Sequence, residues 1–401
     1  MEQAKKPLKK GVGIHRGGGL AAFKEKEGLI PNQNNIAMAN NDKPLSFILM
    51  PEAFQDTLKI PGFAEGYCHV IAGFSDTGKS LIISHLIVSA QEMGRIPVIY
   101  DTENNMSWKL LQDLGFKCTP IYGDVEIEEI DQETGEITTR TENQIIGYDG
   151  DFIYYNSNIL AQKYGDWDYS ASKPTSKHRK QAVLEDIAKS MNELIEAQDE
   201  IGQGFVFIWD SIGSISCYKS YASKSNNNMW DAGAIGQAFS NIWNNLIPCS
   251  RKVSSKYTNT FVAVNKIWLD STTSPVGLPT MKLKGGGAMT YAAHGILLRV
   301  GGALTAGTKK LTAVSKGATY RYGTVSKISV VKNHLPSPFS VTYEGEIICT
   351  PLGLIRKEDL AEYQKKHISE ILKELNKDLK GVTKASENDI DFIEEESESS
   401  E

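Results

Sequence analysis

Residues 73–80 read Gly73-Phe74-Ser75-Asp76-Thr77-Gly78-Lys79-Ser80, an instance of the pattern G-x-x-x-x-G-K-[ST]. The apolar stretch Cys68-His69-Val70-Ile71-Ala72 precedes it and Leu81-Ile82-Ile83 follows. This setting predicts a strand, a loop and a helix, which is the context the motif requires. Successive backbone N–H groups in such a loop form a cradle for phosphate oxygens, and the helix N-terminus adds positive potential. Lys79 is expected to reach the β- and γ-phosphates, and the Ser80 hydroxyl to ligate Mg²⁺. The expected ligand is a nucleoside triphosphate, ATP, with Mg²⁺.

Outward from this loop the pattern is α/β. Strand signals at Cys68–Ala72 and Pro97–Tyr100 flank a helix over Ser80–Glu92. A second helix, Trp108–Leu114, stops at Gly115. Residues 118–180 interrupt the rhythm. Turn chemistry at Asp131-Gln132-Glu133-Thr134-Gly135-Glu136 between alternating segments predicts a β-hairpin insertion, followed by a strand at Phe152–Tyr155 and a surface loop at Ser170–Lys180. The pattern resumes with a helix at Ala182–Ala197 and a strand at Phe205–Trp209. A Ser/Asn-rich loop (Cys217–Asn228), a helix (Ala232–Asn245) and a strand (Thr260–Val264) come next. A long loop (Trp268–Gly287), strands at Gly295–Val300 and Thr324–Val331, and a helix at Lys357–Leu379 complete the pattern. No tandem repeat is visible. Strands alternating with helices imply a mainly parallel central sheet flanked by helices, with its ligand site at the strand carboxyl ends. The expected organisation is a flexible basic arm over 1–45 that is a candidate subunit contact, a core over 46–345, a helical region over 346–384 and a disordered acidic tail over 385–401.

The 401 residues are 40% hydrophobic and 23% charged, the balance of a globular protein with a substantial core. No apolar run approaches the ~18 to 20 residues needed to cross a bilayer, and the N-terminal lysines lead into no apolar secretory segment. Five scattered cysteines without a C-x-x-C pair fit a reducing compartment. A cytoplasmic protein without membrane association is expected, with Mg²⁺ as its one metal. The net charge of -6 is unevenly spread: Lys5, Lys6, Lys9 and Lys10 open the chain and acidic residues dominate its last fifteen.

Asp210 ends the apolar run Phe205-Val206-Phe207-Ile208-Trp209. A carboxylate at the tip of a buried strand is placed to hold the Mg²⁺ shell, with Ser211 in support; a helix-capping role is the bland alternative. Glu103, at the end of the strand after the phosphate-loop helix, is a candidate to position or deprotonate the attacking water. Asp101 fits the strand end as well, and the residues alone barely separate the two. Lys219 and Lys224 lie in the first of the two loops after Asp210, interleaved with Tyr218 and Tyr221. Lys282, Lys284, Gly285, Gly286 and Gly287 close the second. Lysines supply sequence-independent phosphate contacts and glycines let backbone approach closely, so these seven residues are the candidate DNA-binding set.

Taken in order, these segments resemble the RecA-family recombinases, including the phage UvsX type, over roughly residues 58–345. Pro61-Gly62-Phe63-Ala64-Glu65-Gly66 looks like the family's lead-in to the phosphate loop, and Tyr100-Asp101-Thr102-Glu103 resembles the segment carrying its catalytic glutamate. Trp209-Asp210-Ser211 resembles its metal-holding strand end. Ala263-Val264-Asn265-Lys266 and Gly285-Gly286-Gly287-Ala288-Met289 resemble the start and close of its second DNA-binding loop. Residues 330–339, with Lys332-Asn333-His334 and Pro338-Phe339, are similar to a further family segment. The resemblance favours Glu103 over Asp101. It implies a RecA-like ATPase core in which Lys332 reaches a neighbouring subunit's γ-phosphate, with Lys266 and His334 also at the nucleotide. Lys266 and His334 depart from the usual residues, and Gln237 and Asn244 stand where family arginines align. The hairpin insertion is longer than the family's.

The implied activity is a DNA-dependent ATPase that forms helical filaments on single-stranded DNA, pairs it with duplex DNA and exchanges strands in recombination and repair. A single-strand-binding or mediator protein would meet the arm or the acidic tail. Two rivals share these motifs. A hexameric replicative helicase would need an arginine finger, for which Arg299, Arg321 and Arg356 are the candidates. A non-catalytic, nucleotide-gated DNA-binding mediator would not need the intact set Lys79, Ser80, Glu103 and Asp210.

Overall fold

The apolar runs of the sequence become the centre of one large sheet. The computed structural model describes residues 42–130, 137–224, 228–270, 280–283, 287–302, 307–378 and 383–396. Strands β1 (Phe47–Leu49) and β2 (Gly62–Ala64) pair with each other. β3 (Cys68–Gly73) and β4 (Ile96–Asp101) are buried along their whole length. β5 (Thr119–Ile130) and β6 (Ile137–Asp149) form a separate hairpin, and β7 (Ile153–Asn156) returns to the main sheet beside β4. After the short pair β8 (Trp167–Asp168) and β9 (Lys173–Pro174) come β10 (Phe205–Ile212), β11 (Thr260–Asp270), β12 (Thr280–Leu283) and β13 (Ile296–Val300). The remaining strands are β14 (Thr308–Ser315), β15 (Ala318–Asn333), β16 (Glu344–Thr350), β17 (Gly353–Ile355) and β18 (Asp391–Glu396).

The main sheet has 12 strands, ordered β17-β16-β15-β13-β3-β11-β10-β4-β7, with β12 on β11, β14 on β15 and β18 on β14. The run from β13 to β7 is parallel. Helices cover both of its faces, as strands this apolar require. Trp209 and Phe261 pack under the helices Leu184–Glu196 and Asn228–Asn241, while Ile71, Ile99 and Ile208 pack on the other side with the helix Lys79–Glu92. The chain is therefore a mixed α/β fold, and β3, β10, β11 and β4 all end at one edge of it. Among the described residues no helix is long and apolar enough to cross a membrane.

The structure departs from the sequence reading in several places. Residues 391–396, expected to lie in a disordered acidic tail, form β18, which covers the edge of β14. The acids face lysines, with Lys309 and Glu394 at 3.1 Å, and Phe392 meets Tyr322 edge-on at 5.7 Å; an open edge strand favours such cover. Residues 346–384, expected to be helical, begin with strand pairing of β16 and β17. The helix expected over Lys357–Leu379 breaks at His367 into Leu360–Lys366 and Ile368–Asp378. The long loop expected over Trp268–Gly287 is in part a hairpin, because β11 runs on to Asp270 and β12 pairs back along it.

The hairpin insertion stands as expected over β5 and β6, with a two-stranded ribbon anchored at its base by Trp108 stacked on Tyr148 at 4.7 Å. The segment after it is less exposed than its polarity suggests. Arg179 and Asp186 are buried, with paired contacts of 2.9 and 2.8 Å, and Asp186 also accepts from the Val183 N–H. Removing one charge of a buried pair leaves the other uncompensated. Asp186→Asn is therefore expected to lower unfolding stability by roughly 3 to 5 kcal/mol. A urea midpoint within error of the wild type would show that this pair does not hold the segment.

Candidate nucleotide-binding site

The phosphate loop turns out of β3 at a residue that has to be glycine. A Cβ on Gly73 would overlap the Val300 carbonyl oxygen of the neighbouring strand, and one on Gly78 would overlap the Cys349 thiol. Asp76 and Gly78 adopt left-handed backbone, with φ of 58° and 92°, and Thr77 Oγ1 donates to the Phe74 carbonyl at 2.9 Å. These contacts close the loop around the N-terminus of the helix Lys79–Glu92, where backbone N–H groups are available to an anion. Ser75, Asp76 and Ser80 are exposed, and Lys79 is buried. The Lys79 ammonium donates to the Phe74 carbonyl.

Carboxylates and a second lysine converge on the loop from neighbouring strand ends. Asp210 and Asp101 stand side by side in the β10–β4 register, and Lys266 is level with Gly73 in the β11–β3 register. Asp101 is committed to structure: it accepts from the N–H groups of Asn105 and Met106 at 3.2 and 2.9 Å and from the Tyr154 hydroxyl at 3.0 Å. Glu103 binds no backbone N–H among the described residues and accepts from side chains instead: Lys266 Nζ at 2.8 Å, Asn105 Nδ2 at 3.4 Å and the Ser211 hydroxyl. The geometry thus separates the two acids that the sequence left side by side. The Asp210 carboxylate is buried and makes no hydrogen bond or ion pair among the described residues.

The charges shift one another. Burial, then the negative charges of Glu103 and Asp101, push the Asp210 carboxyl up to about 6, against the pull of Lys79 and Lys266. Burial also lowers the Lys79 ammonium to about 8, with Asp210 opposing. At Glu103 burial raises the carboxyl, but hydrogen bonds from Lys266 and Ser211 and the two lysine charges outweigh it and hold it below its ordinary range.

No group of three or more His, Cys, Asp or Glu side chains that could hold a metal by themselves occurs among the described residues. Mg²⁺ does not need one: it keeps several waters and takes one or two carboxylates together with substrate phosphates. A strand-end carboxylate at Asp210, with Lys79 and Lys266 as its nearby opposite charges, beside an exposed Ser80 hydroxyl at the loop, fits that donor set. Bound there, the ion would neutralise phosphate charge and orient the terminal phosphates.

A cavity of about 280 Å³ lies against loop residues 76–80 and is closed on its other side by Arg321, Thr324 and Cys349. A larger cavity, of about 480 Å³, lies between Trp167 and the helices Leu184–Glu196 and Asn228–Asn241. It contains none of the phosphate-loop chemistry, so the smaller cavity is the functional candidate.

The other expected site residues distribute as follows. Lys219 lies on a short helix, Tyr218–Ser223, where a loop was expected, with its ammonium 4.6 Å from the Trp230 ring. Lys224 caps that helix and is exposed. Lys282 lies on β12, its ammonium 5.8 Å from the Trp268 ring. Lys284, Gly285 and Gly286 fall outside the described residues, and Gly287 opens the helix Gly287–Ala292. Both lysine-bearing segments follow carboxyl ends of the parallel strands β10 and β11, the same edge as the phosphate loop.

Lys332 and His334 are not brought to this chain's loop. Lys332 is level with Leu297, which is level with Val70, about 10 Å back along the strand from Gly73 at ~3.3 Å per residue. Its ammonium donates to the Thr290 carbonyl at 2.5 Å. The His334 N–H bonds Gly295, next to the start of β3. Sequence reasoning missed the half-exposed Trp268 and the wall that Arg321, weighed there only as an arginine finger, makes with Thr324 and Cys349. A tryptophan within a polar stretch was the available signal for the first; nothing in the sequence signals the second.

No protein-family model matches the chain, and a search of curated proteins finds no match.

The two shifted groups predict opposite proton traffic on binding Mg²⁺–ADP. Near pH 6 part of Asp210 is protonated and a bound cation favours the carboxylate, so protons are released. Near pH 8.5, about half a unit above the Lys79 value, part of Lys79 is neutral and phosphate favours the ammonium, so protons are taken up. Calorimetry in buffers of different ionisation enthalpy should show the sign reverse between these pH values. In Asp210→Asn the release should vanish while the uptake persists; a reversal unaffected by that substitution would assign the protons elsewhere.

Proposed function

We propose that the chain is a DNA-dependent ATPase with a RecA-like core, which assembles on single-stranded DNA and promotes homologous pairing and strand exchange. The observation that carries this reading is the 2.8 Å ion pair between Lys266 and Glu103. Glu103 stands beside the phosphate loop, in the charge field of Lys79, where an attacking water would be oriented. Lys266 comes from β11, which two residues later presents Trp268 and then turns into β12 with Lys282. One strand therefore joins the group beside the terminal phosphate to an exposed aromatic and a cation. Stacking of bases on aromatics and lysine contacts to phosphates are what sequence-independent binding of a single strand needs.

In this reading ATP lies along the phosphate loop with its β- and γ-phosphates on the backbone N–H groups and Lys79. The Lys79 ammonium exchanges the Phe74 carbonyl for phosphate oxygen. Mg²⁺ held by Ser80 and Asp210 would neutralise charge on the terminal phosphates. Glu103 accepts a hydrogen bond from the attacking water, and Lys266 moves from Glu103 toward the γ-phosphate. That exchange shifts β11 and its hairpin, coupling nucleotide state to DNA. Lys332 and His334, far from this chain's own loop, suit a neighbouring subunit's nucleotide. Such a head-to-tail contact does not close on itself and builds a filament.

ATP hydrolysis with and without single-stranded DNA, for wild type and Glu103→Gln, tests the enzymatic claim, with the same samples imaged by negative stain. Turnover stimulated by DNA, reduced about 10²-fold or more in the variant, with filaments retained on DNA, is expected. Closed rings that unwind a forked duplex would make the protein a helicase. Absence of turnover under either condition would leave a nucleotide-gated binding protein.

The DNA side separates by residue. Trp268→Ala should weaken binding to single-stranded DNA by about tenfold and leave its salt dependence unchanged. Lys282→Ala should flatten the salt dependence by close to one phosphate contact, ~0.7 in the logarithmic slope. Unchanged affinity and slope in both variants would remove the β11–β12 hairpin from the DNA site.

A further inference from the structure

We infer that Arg321 is a nucleotide-binding residue of its own subunit, contacting the α- and β-phosphates from the side opposite Asp210 and Glu103. The inference rests on the nucleotide reading above and adds a wall to that site.

Four observations converge. First, β15 and β16 pair so that Thr324 faces Cys349, and Cys349 lies against Gly78, where a Cβ would overlap its sulfur. Two strands from the far half of the sheet are thereby seated on the phosphate loop. Second, Arg321 lines the same cavity as loop residues 76–80. It is exposed, donates to Thr324 Oγ1 at 2.5 Å, and has no carboxylate partner among the described residues. A cation with no ion pair at the rim of an anion cradle is suited to a polyphosphate, and a guanidinium can present two parallel N–H donors to it.

Third, the Ser326 hydroxyl, fully buried and 4.0 Å from where a Gly78 Cβ would stand, has no hydrogen-bond partner. Ser326 does not line the cavity, so this hydroxyl marks how closely β15 is seated on the loop. Fourth, the sheet order sets the side. Asp210, Glu103 and Lys266 come from β10, the end of β4 and β11, on one side of β3, while Arg321 comes from β15 on the other. The γ-phosphate belongs with the first group, so the cation on the second side meets the phosphates nearer the sugar. Arg321 was a candidate arginine finger for a neighbouring subunit; its place in the cavity of its own chain assigns it a different task.

Binding of fluorescent ADP and ATP analogues to the full chain with Mg²⁺ tests this in wild type, Arg321→Ala, Arg321→Lys and Lys79→Ala. The expected result is a loss of about tenfold or more in Arg321→Ala, in the range of a charge-assisted contact. The loss should be equal for ADP and ATP and partly restored in Arg321→Lys. If wild type binds no nucleotide, or binds it as well in Lys79→Ala, the underlying nucleotide reading fails. If wild type binds but Arg321→Ala matches it within twofold, only the role of Arg321 fails. A loss confined to ATP, or a fall in turnover with unchanged affinity, would place Arg321 on the γ-phosphate or in a neighbour's site and overturn the assignment.

Discussion

The close approach of the phosphate loop to two neighbouring strands is the constraint on which the rest of the site depends. Gly73 has the Val300 carbonyl where a side chain would stand, and Gly78 has the Cys349 thiol. Both contacts hold the loop against the sheet beside the N-terminus of the helix Lys79–Glu92, where backbone N–H groups lack intrahelical partners. A methyl group at either position would push the loop off the sheet and open the cradle. The same contacts tie the parallel centre of the sheet to the antiparallel strands β15 and β16, so the site spans both.

Around that loop the protein gathers more charge than it neutralises. Asp210 is buried without a partner, Lys79 is turned back on a carbonyl, and Glu103 is held by Lys266 and Ser211. An arrangement of this kind is poorly satisfied by itself: one carboxyl is raised and one ammonium lowered because burial strips each of water by more than the opposite charges nearby restore. A bound polyphosphate with its cation would relieve both at once. In the proposed ATPase cycle the Lys266–Glu103 pair is the part that would switch, its lysine passing to the terminal phosphate from the strand that carries Trp268.

Much of this was legible in the sequence where a local rule applies. The phosphate loop, β3, β4 and β10 announce themselves because glycine spacing and unbroken apolar runs have few other uses, and the β5–β6 hairpin follows from its turn chemistry. The antiparallel half of the sheet was harder to see. β14, β16 and β18 are short or mixed in character, and β18 is a run of acids whose strand form depends on the lysines of β14 and on Tyr322. No property of residues 391–396 alone favours a strand over a solvated tail. Arg179 likewise looks like a surface residue until Asp186 is brought to it.

By itself the sequence determined the chemistry at single positions: a lysine and serine after a glycine loop, a carboxylate at the tip of a buried strand, apolar runs that must be covered on both faces. Those follow from local rules of backbone geometry and burial. Only the tertiary structure decided which of Asp101 and Glu103 is available, that Lys266 holds Glu103, and that Arg321 and Cys349 close the cavity while Lys332 stands away from it. These are relations between residues far apart in the chain, set by strand order and register, which the pairing of whole strands imposes and no single segment encodes.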